Sequence, residues 1–375
     1  MSDLENILPL WRDLRASGTE YVLATVVAVE GSGYRKPGAQ MLIAGDGRRA
    51  GTISGGCLEA EVARKAFWHT ENGPVLRRYS TTADDGEVPF GMGCGGVVHL
   101  LLERSATASG FLERLSSDFT ARQAAAVATV LEGEWIGQRV YWPATVSGES
   151  TAEFPSLSMK LAELAEQCFE QQRSFSQSLQ AEDGQVAAVS LNWRPARTGL
   201  FVFGAGDDAI PVVKLARQLG WFVSVADGRS NLPTQTRFPD AHEVHVLDPA
   251  KWPEFAMNPT DAAVVMTHSL DQDTRILTEL LAADLAYIGV LGPRHRTSEV
   301  LLAVANALSL PTSRVDAQMA AWMERLHAPM GLDLGGDTPA DIALAAVAEV
   351  QQCLRRTTGL PLKTVRGGPK MVSAR

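Results

Sequence analysis

Two glycine-rich runs, each holding a cysteine, are where the residue types of this sequence are best suited to chemistry: Ser54-Gly55-Gly56-Cys57-Leu58-Glu59 and Gly91-Met92-Gly93-Cys94-Gly95-Gly96. Cys57 falls where a helical apolar spacing begins. A thiol at a helix start is biased toward thiolate by the backbone N–H groups and the helix dipole. Arg35 and Lys36, in the loop that runs from Glu30 to Met41, bring positive charge able to hold a phosphate. Cys94 follows an acidic run, Asp84-Asp85-Gly86-Glu87, and directly precedes an expected strand. The plainer alternative for either thiol is a small buried residue in a tight turn. Cys168 and Cys353 fall on helical faces and read as core.

A third glycine run has a different character. Gly204-Ala205-Gly206-Asp207-Asp208-Ala209 follows the strand-like Leu200-Phe201-Val202-Phe203 and opens a helix, and Asp227 closes the next strand. Glycines let a backbone turn tightly against a pyrophosphate, the helix start offers N–H donors, and an acid about 20 residues on accepts from ribose hydroxyls. Asp207 and Asp208 oppose that reading with negative charge, and Ala209 stands in the place of a third glycine. The bare alternative is a strand-to-helix turn that binds nothing. His268 and Asp271 follow a later strand, where open α/β sheets hold ligands. Asp271 reads equally as the N-cap of the helix after it.

The elements that position these residues divide the chain in two. In the first part, a β-branched run at 21–29, strands at 40–44 and 49–53 around Asp46-Gly47, a helix over 58–69 and a strand over 97–103 surround the cysteine loops. Further strands fit at 124–131, 138–142, 173–178 and 186–191, with a helix near 156–172. After Arg197 the pattern becomes βαβ, with strands at 243–247, 262–266 and 286–290 and helices near 271–282, 295–307, 314–326 and 339–356. The expected fold is therefore α/β: an α+β domain over 1–194 carrying the cysteine loops, then a Rossmann-like, doubly wound parallel sheet over 195–375. The tail from Lys363 to Arg375 has no periodicity and reads as flexible.

The bulk composition narrows the function. The 375 residues are 45% hydrophobic and 21% charged, with a net charge of −9, which argues against nucleic acid as a partner. The opening residues carry acids and no apolar core of a signal peptide, and no apolar run of about 18 residues occurs, so a cytoplasmic protein without a membrane segment is expected. Four widely spaced cysteines without a C-x-x-C pair signal neither a disulfide framework nor a zinc knuckle. His242 and His245, three apart in an apparent strand, point to opposite faces and do not make a metal pair.

Taken together, Gly31-Ser32-Gly33-Tyr34-Arg35-Lys36-Pro37-Gly38, Ser54-Gly55-Gly56-Cys57-Leu58-Glu59 and Gly93-Cys94-Gly95-Gly96 resemble the signature of the XdhC/CoxI family of xanthine dehydrogenase accessory proteins. The second half is similar as well, in Phe203-Gly204-Ala205-Gly206, Asp227-Gly228-Arg229, Thr267-His268, Tyr287-Ile288-Gly289 through Arg296, and Pro329-Met330-Gly331 through Pro339. The resemblance is weakest between about 105 and 195. It implies a chaperone that binds the molybdenum cofactor, molybdopterin or its cytosine dinucleotide form, protects it during sulfuration and supports its insertion into an apo-molybdoenzyme of the xanthine dehydrogenase or CO dehydrogenase type. A cysteine desulfurase is then the expected sulfur-donating partner, and a homodimer is left open. On this reading Cys57 is the first sulfur or metal contact and Cys94 the second, since a soft thiolate suits molybdenum or a persulfide. Arg35, Lys36, Ser54, Gly55, Gly56 and Gly95 line that contact. Gly204, Gly206, Asp227 and His268 hold the phosphate or nucleotide end.

Two rivals remain at this level. An NAD(P)-dependent oxidoreductase accounts for the βαβ unit and Asp227 but leaves the Cys57 loop unexplained. A thiol redox protein uses Cys57 and Cys94, without C-x-x-C spacing to support it.

Overall fold

The structure, a computed structural model, describes residues 3–31, 34–56, 58–80, 96–144, 155–180, 186–248, 252–253 and 255–366. Cys57, Cys94 and Gly95, and the acidic run from Asp84 to Glu87, lie outside the described residues. Two compact units follow one another, Met1–Arg197 and Thr198–Arg375.

In the first unit the elements run α1 (Asp3–Ser17), β1 (Tyr21–Glu30), β2 (Gln40–Ala44), β3 (Arg49–Gly51), α2 (Glu59–His69), β4 (Val75–Ser80), β5 (Val97–Arg104), α3 (Ser105–Ala121), β6 (Ala125–Val130), β7 (Arg139–Trp142), α4 (Pro155–Gln171), β8 (Phe175–Gln180) and β9 (Val186–Arg194). They build two antiparallel sheets, ordered β3-β2-β1-β5-β4 and β7-β6-β9-β8. Side-chain alternation along β1 explains why it is buried on both faces. Val22, Ala24 and Val26 join Met41, Ile43, Leu100 and Leu102 under Val62 and Ala66 of α2. Tyr21 and Leu23 turn the other way, onto Ile7, Leu8 and Trp11 of α1 and Leu112 and Leu115 of α3. The Ser190 hydroxyl donates to the Val27 carbonyl at 3.1 Å, linking the two sheets.

In the second unit they run β10 (Gly199–Phe203), α5 (Ala209–Gln218), β11 (Phe222–Asp227), β12 (Glu243–Val246), β13 (Ala262–Val265), α6 (Leu270–Leu280), β14 (Tyr287–Val290), α7 (Arg294–Ala307), α8 (Thr312–Arg325), β15 (Leu326–His327), α9 (Pro339–Leu354) and α10 (Leu362–Arg366). The six parallel strands lie in the order β12-β11-β10-β13-β14-β15, so the winding reverses between β10 and β13. Helices cover both faces. Leu200 and Val202 meet Val212 of α5 and Val347 of α9, while Phe201 and Phe203 meet Ile276 of α6 and Val300 of α7. This is the doubly wound sheet that the sequence pattern leads one to expect, and open sheets of this kind hold ligands at the reversal.

The structure differs from the sequence-based expectation at several elements. α1, β4, α3 and the short β15 are absent from that expectation. The strand expected over 49–53 stops at Gly51, because the Ile53 N–H turns away to a side chain. The tail expected to lack structure forms α10 over Leu362–Arg366, and residues beyond 366 lie outside the described part. Among the described residues, no helix is long and apolar enough to cross a membrane.

Candidate functional site

The crevice of the second unit is assembled from the loops that leave the C-terminal ends of β10, β11, β13 and β14. The first is the turn Gly204–Asp208. Gly204 has φ +123°, and a Cβ there would stand 2.4 Å from the Met266 carbonyl oxygen at the end of β13, so only glycine fits. This close approach lets β10 and β13 open directly into the start of α5. No partner is found among the described residues for the N–H groups of Gly206, Asp207 and Asp208. Open donors at a helix start are the usual seat of a phosphate.

Acid–base pairs ring this turn. Asp208 folds back over Gly206, where a Cβ would meet its Oδ1 at 2.4 Å. Its Oδ2 lies 2.9 Å from His268 Nε2, across the point where the winding reverses. His268 holds φ 61°, the left-handed region. Asp207 pairs with Arg237 at 2.6 Å. Behind them the buried Thr267 hydroxyl donates to Asp273 at 2.5 Å, and Asp273 also pairs with Arg296 of α7.

Asp227 is not placed as a free ribose acceptor. It is 0% exposed. Its Oδ2 accepts from the Ala205 N–H at 2.8 Å and from Arg229 at 2.6 Å, and its Oδ1 takes the Arg229 N–H and Nε. Burial pushes the carboxyl up, but the Arg229 fork and the backbone donors outweigh it and hold it below the ordinary carboxylate range. A ribose reaching Asp227 would have to displace an intramolecular arginine. Asp271 does not cap α6 either; the cap is Ser269, whose hydroxyl accepts from the Gln272 N–H at 3.4 Å.

In the first unit the loop 51–56 is organised by a residue to which the sequence motif alone assigns no role. The Glu59 carboxylate accepts from the N–H groups of Ile53, Ser54 and Gly55 through Oε1, at 3.0, 2.9 and 3.2 Å. Through Oε2 it accepts from the Gly56 N–H at 3.0 Å and the Ser54 hydroxyl at 2.6 Å. The Ser54 oxygen in turn accepts from the Leu58 N–H at 2.9 Å, just before α2 begins. Burial pushes the Glu59 carboxyl up, and the hydrogen bonds from Ser54 and Gly55 outweigh that effect and bring it down to about 2. The N–H groups of residues expected from the resemblance to line the cofactor contact are therefore taken by this internal carboxylate. A carboxylate closely following a Ser-Gly-Gly run was the available signal.

The neighbouring loop is drawn to the same place. The Tyr34 ring lies against Gly55, where a Cβ would meet ring carbon Cδ1 at 2.8 Å, yet Tyr34 is 81% exposed. Arg35, expected to hold a phosphate, instead pairs with Asp3 of α1, and Lys36 stays exposed. Among the described residues no group of three or more His, Cys, Asp or Glu side chains could hold a metal ion. Cys168 is a core residue, and burial pushes its thiol up to about 11. Cys353, also read as core, is only partly buried and faces a histidine.

Residues 14–80 match the profile of the XdhC and CoxI family, and residues 200–350 match that of the XdhC Rossmann domain. The chain is 31% identical over 341 residues to a probable xanthine dehydrogenase subunit of Bacillus subtilis, covering 90% of this chain and 94% of that protein. It is 32% identical over 123 residues to the molybdenum cofactor insertion chaperone PaoD of Escherichia coli, 30% of this chain and 36% of that one. A crystal structure described as a xanthine dehydrogenase from Bacillus halodurans shares the fold with a TM-score of 0.68 at 28% identity, over 97% of this chain and 100% of that one.

Proposed function

The chain belongs to the XdhC and CoxI family, and from that premise we propose that it is a maturation factor for a xanthine dehydrogenase-type molybdoenzyme, binding the molybdenum cofactor before insertion. The observation that carries the reading is the open set of N–H groups at Gly206–Asp208, at the reversal of a doubly wound sheet, beside the guanidinium groups of Arg229 and Arg237. Such a donor set suits the phosphate or pyrophosphate of a molybdopterin or of its cytosine dinucleotide form. One residue opposes it: Asp208, held across Gly206 by His268, has to swing aside for an anion to seat.

In this reading Gly204 and Gly206 let the phosphate approach, Asp227 holds Arg229 in place rather than binding ribose, and His268 governs Asp208. Cys57, with Cys94, is the proposed sulfur or metal contact, and Lys36 an exposed cation two residues after Tyr34 that could serve it. The bound cofactor supplies the molybdenum centre whose terminal ligand is exchanged for sulfur, with a cysteine desulfurase as the sulfur source and the apo-enzyme as recipient. The engagement of Asp227 weighs against an NAD(P)-dependent oxidoreductase.

The test is metal and pterin analysis of the full chain purified from a cell that makes the cofactor. Molybdenum and pterin co-purifying in near-equal amounts, and lost together in a Gly206→Glu variant, is the expected result. Protein that carries neither, while binding a nicotinamide dinucleotide, overturns it.

A further inference from the structure

Two sequence runs remain without a role in the crevice: Tyr287-Ile288-Gly289 and the segment around Gly331. They meet beneath α9 in a chain of contacts that ends on a thiol. Glu349 and Cys353 lie one helical turn apart on α9 and so share a face. Glu349 Oε2 accepts from the Tyr287 hydroxyl at 2.6 Å and from the Gly331 N–H at 2.7 Å. Its Oε1 lies 3.1 Å from His327 Nδ1. The other ring nitrogen, Nε2, lies 3.9 Å from Cys353 Sγ, whose thiol also donates to Gln352 Oε1 at 3.5 Å.

The surroundings fix each member. Tyr287 stacks on His327 with ring centroids 4.3 Å apart and planes at 24°. That stack depends on Gly289, where a Cβ would meet the Tyr287 ring and hydroxyl at 2.7 Å and Met330 Sδ at 3.1 Å. Burial pushes the Glu349 carboxyl up, but the Tyr287 hydroxyl, the Gly331 N–H and His327 hold it below its ordinary value, so it stands ionised. A carboxylate on Nδ1 keeps the proton there and leaves the Nε2 lone pair facing the sulfur. Cys353 is partly exposed, so a small molecule can reach it.

We propose that Cys353 is a nucleophilic thiol, with His327 as its base and Glu349 as the residue positioning His327, and that it takes a low-molecular-weight disulfide. The Cys353 S–H proton passes to His327 Nε2, and the thiolate attacks one sulfur of the disulfide. The Cys353–sulfur bond forms as the reagent's S–S bond breaks, and the departing thiolate takes the proton from Nε2. The products are a mixed disulfide on Cys353 and one free thiol, the reagent disulfide being the oxidant. An acyl substrate would need donors for an oxyanion, and the Gly331 N–H is committed to Glu349. Burial and the Glu349 charge push the thiol up, so its reactivity depends on the imidazole. This site stands apart from the cofactor reading and does not rest on it.

The test exposes the full chain to oxidised glutathione and follows the mixed disulfide on the Cys353 peptide by mass spectrometry. The expected result is modification at neutral pH that slows at least tenfold in His327→Gln and several-fold in Glu349→Gln. Equal rates in wild type and a folded His327→Gln variant overturn the proposal. If that variant does not fold, the wild-type rate against pH decides. The titratable groups in the chain of contacts are His327, Glu349 and Tyr287. A base-assisted thiol keeps a rate near neutral pH that falls much less than about tenfold for each pH unit below about 9. A rate that falls a full tenfold or so with each pH unit from about 9 down to about 6 identifies an unassisted thiol and overturns the base.

Discussion

The Ser54–Gly56 loop and the Gly204–Asp208 turn look alike as strings of small residues before a helix, and they use their backbone donors in opposite ways. In the first, four N–H groups and a hydroxyl close on the chain's own Glu59. In the second, no carboxylate accepts from the N–H groups of Gly206, Asp207 and Asp208 among the described residues: Asp207 is held by Arg237, and Asp208, held by His268, stands over Gly206 without pairing with them. Glycine richness therefore does not by itself make an anion site. What decides is whether a carboxylate of the same chain already occupies the donors.

The contrast breaks most visibly at Glu59. Replacing it with alanine leaves four N–H groups and a hydroxyl without their acceptor at once, the Ile53 N–H among them buried, and the first unit is expected to lose about 4 kcal/mol. Urea unfolding of the Glu59→Ala variant checks this, and a loss below about 1 kcal/mol would mean the loop finds other acceptors. The same carboxylate gives the protein an acid limb of defined sign. Its ordinary value is 4.5 and its folded value about 2. Between those values the unfolded chain binds the extra proton, so stability is complete above pH 4.5 and falls as the pH drops toward 2. The expected loss is about 3 kcal/mol, and Asp227 adds to it in the same direction. In Glu59→Gln the acid limb should flatten; an unchanged limb assigns it to other groups.

Alanine at a glycine of each loop sharpens the comparison further. Gly56 has φ +119° and nothing within 4 Å of a Cβ, so Gly56→Ala meets only backbone strain, about 1 kcal/mol. Gly204→Ala adds to its strain a collision with the Met266 carbonyl and is expected to cost about 3 kcal/mol. Thermal unfolding of the two variants should rank them in that order. The reverse order would show that β10 and β13 separate easily at the crevice mouth.

Much of the second unit was legible because its punctuation and periodicity agree. Leu200, Phe201, Val202 and Phe203 form a short apolar run that ends on glycine, and α5 begins where its helical spacing begins. The missed elements are those where local letters and tertiary packing disagree. α1 has Ile7, Leu8, Trp11 and Leu14 at helical spacing but carries Pro9 inside. α3 is rich in Ser, Thr and Gly, and is held by Phe111, Leu112 and Leu115 against the sheet rather than by propensity. β4 sets Arg77 and Arg78 mid-strand and owes its pairing to β5. In the crevice, Gly204, Gly206 and Asp227 were legible as a group, whereas the Arg229 fork that occupies Asp227 was not, since spacing gives position and not partner. His327 and Cys353 escape for the same reason: they meet only because β15 lies beside β14 beneath α9.

The smallest expected effect concerns the acid that guards the open turn. The Asp208 side chain is 18% exposed and its carboxylate stands over Gly206. Removing one negative charge a few ångströms from a bound anion, near a protein surface, is worth about 1 kcal/mol. Asp208→Asn keeps the shape and loses that charge, so inorganic pyrophosphate should bind roughly fivefold more tightly by calorimetry at low salt. His268→Ala frees the same carboxylate from its partner without removing the charge, and should weaken pyrophosphate instead. Opposite signs for the two variants locate the anion at Gly206–Asp208. Equal responses, or none, would leave both loops closed to anions and remove the contrast between them.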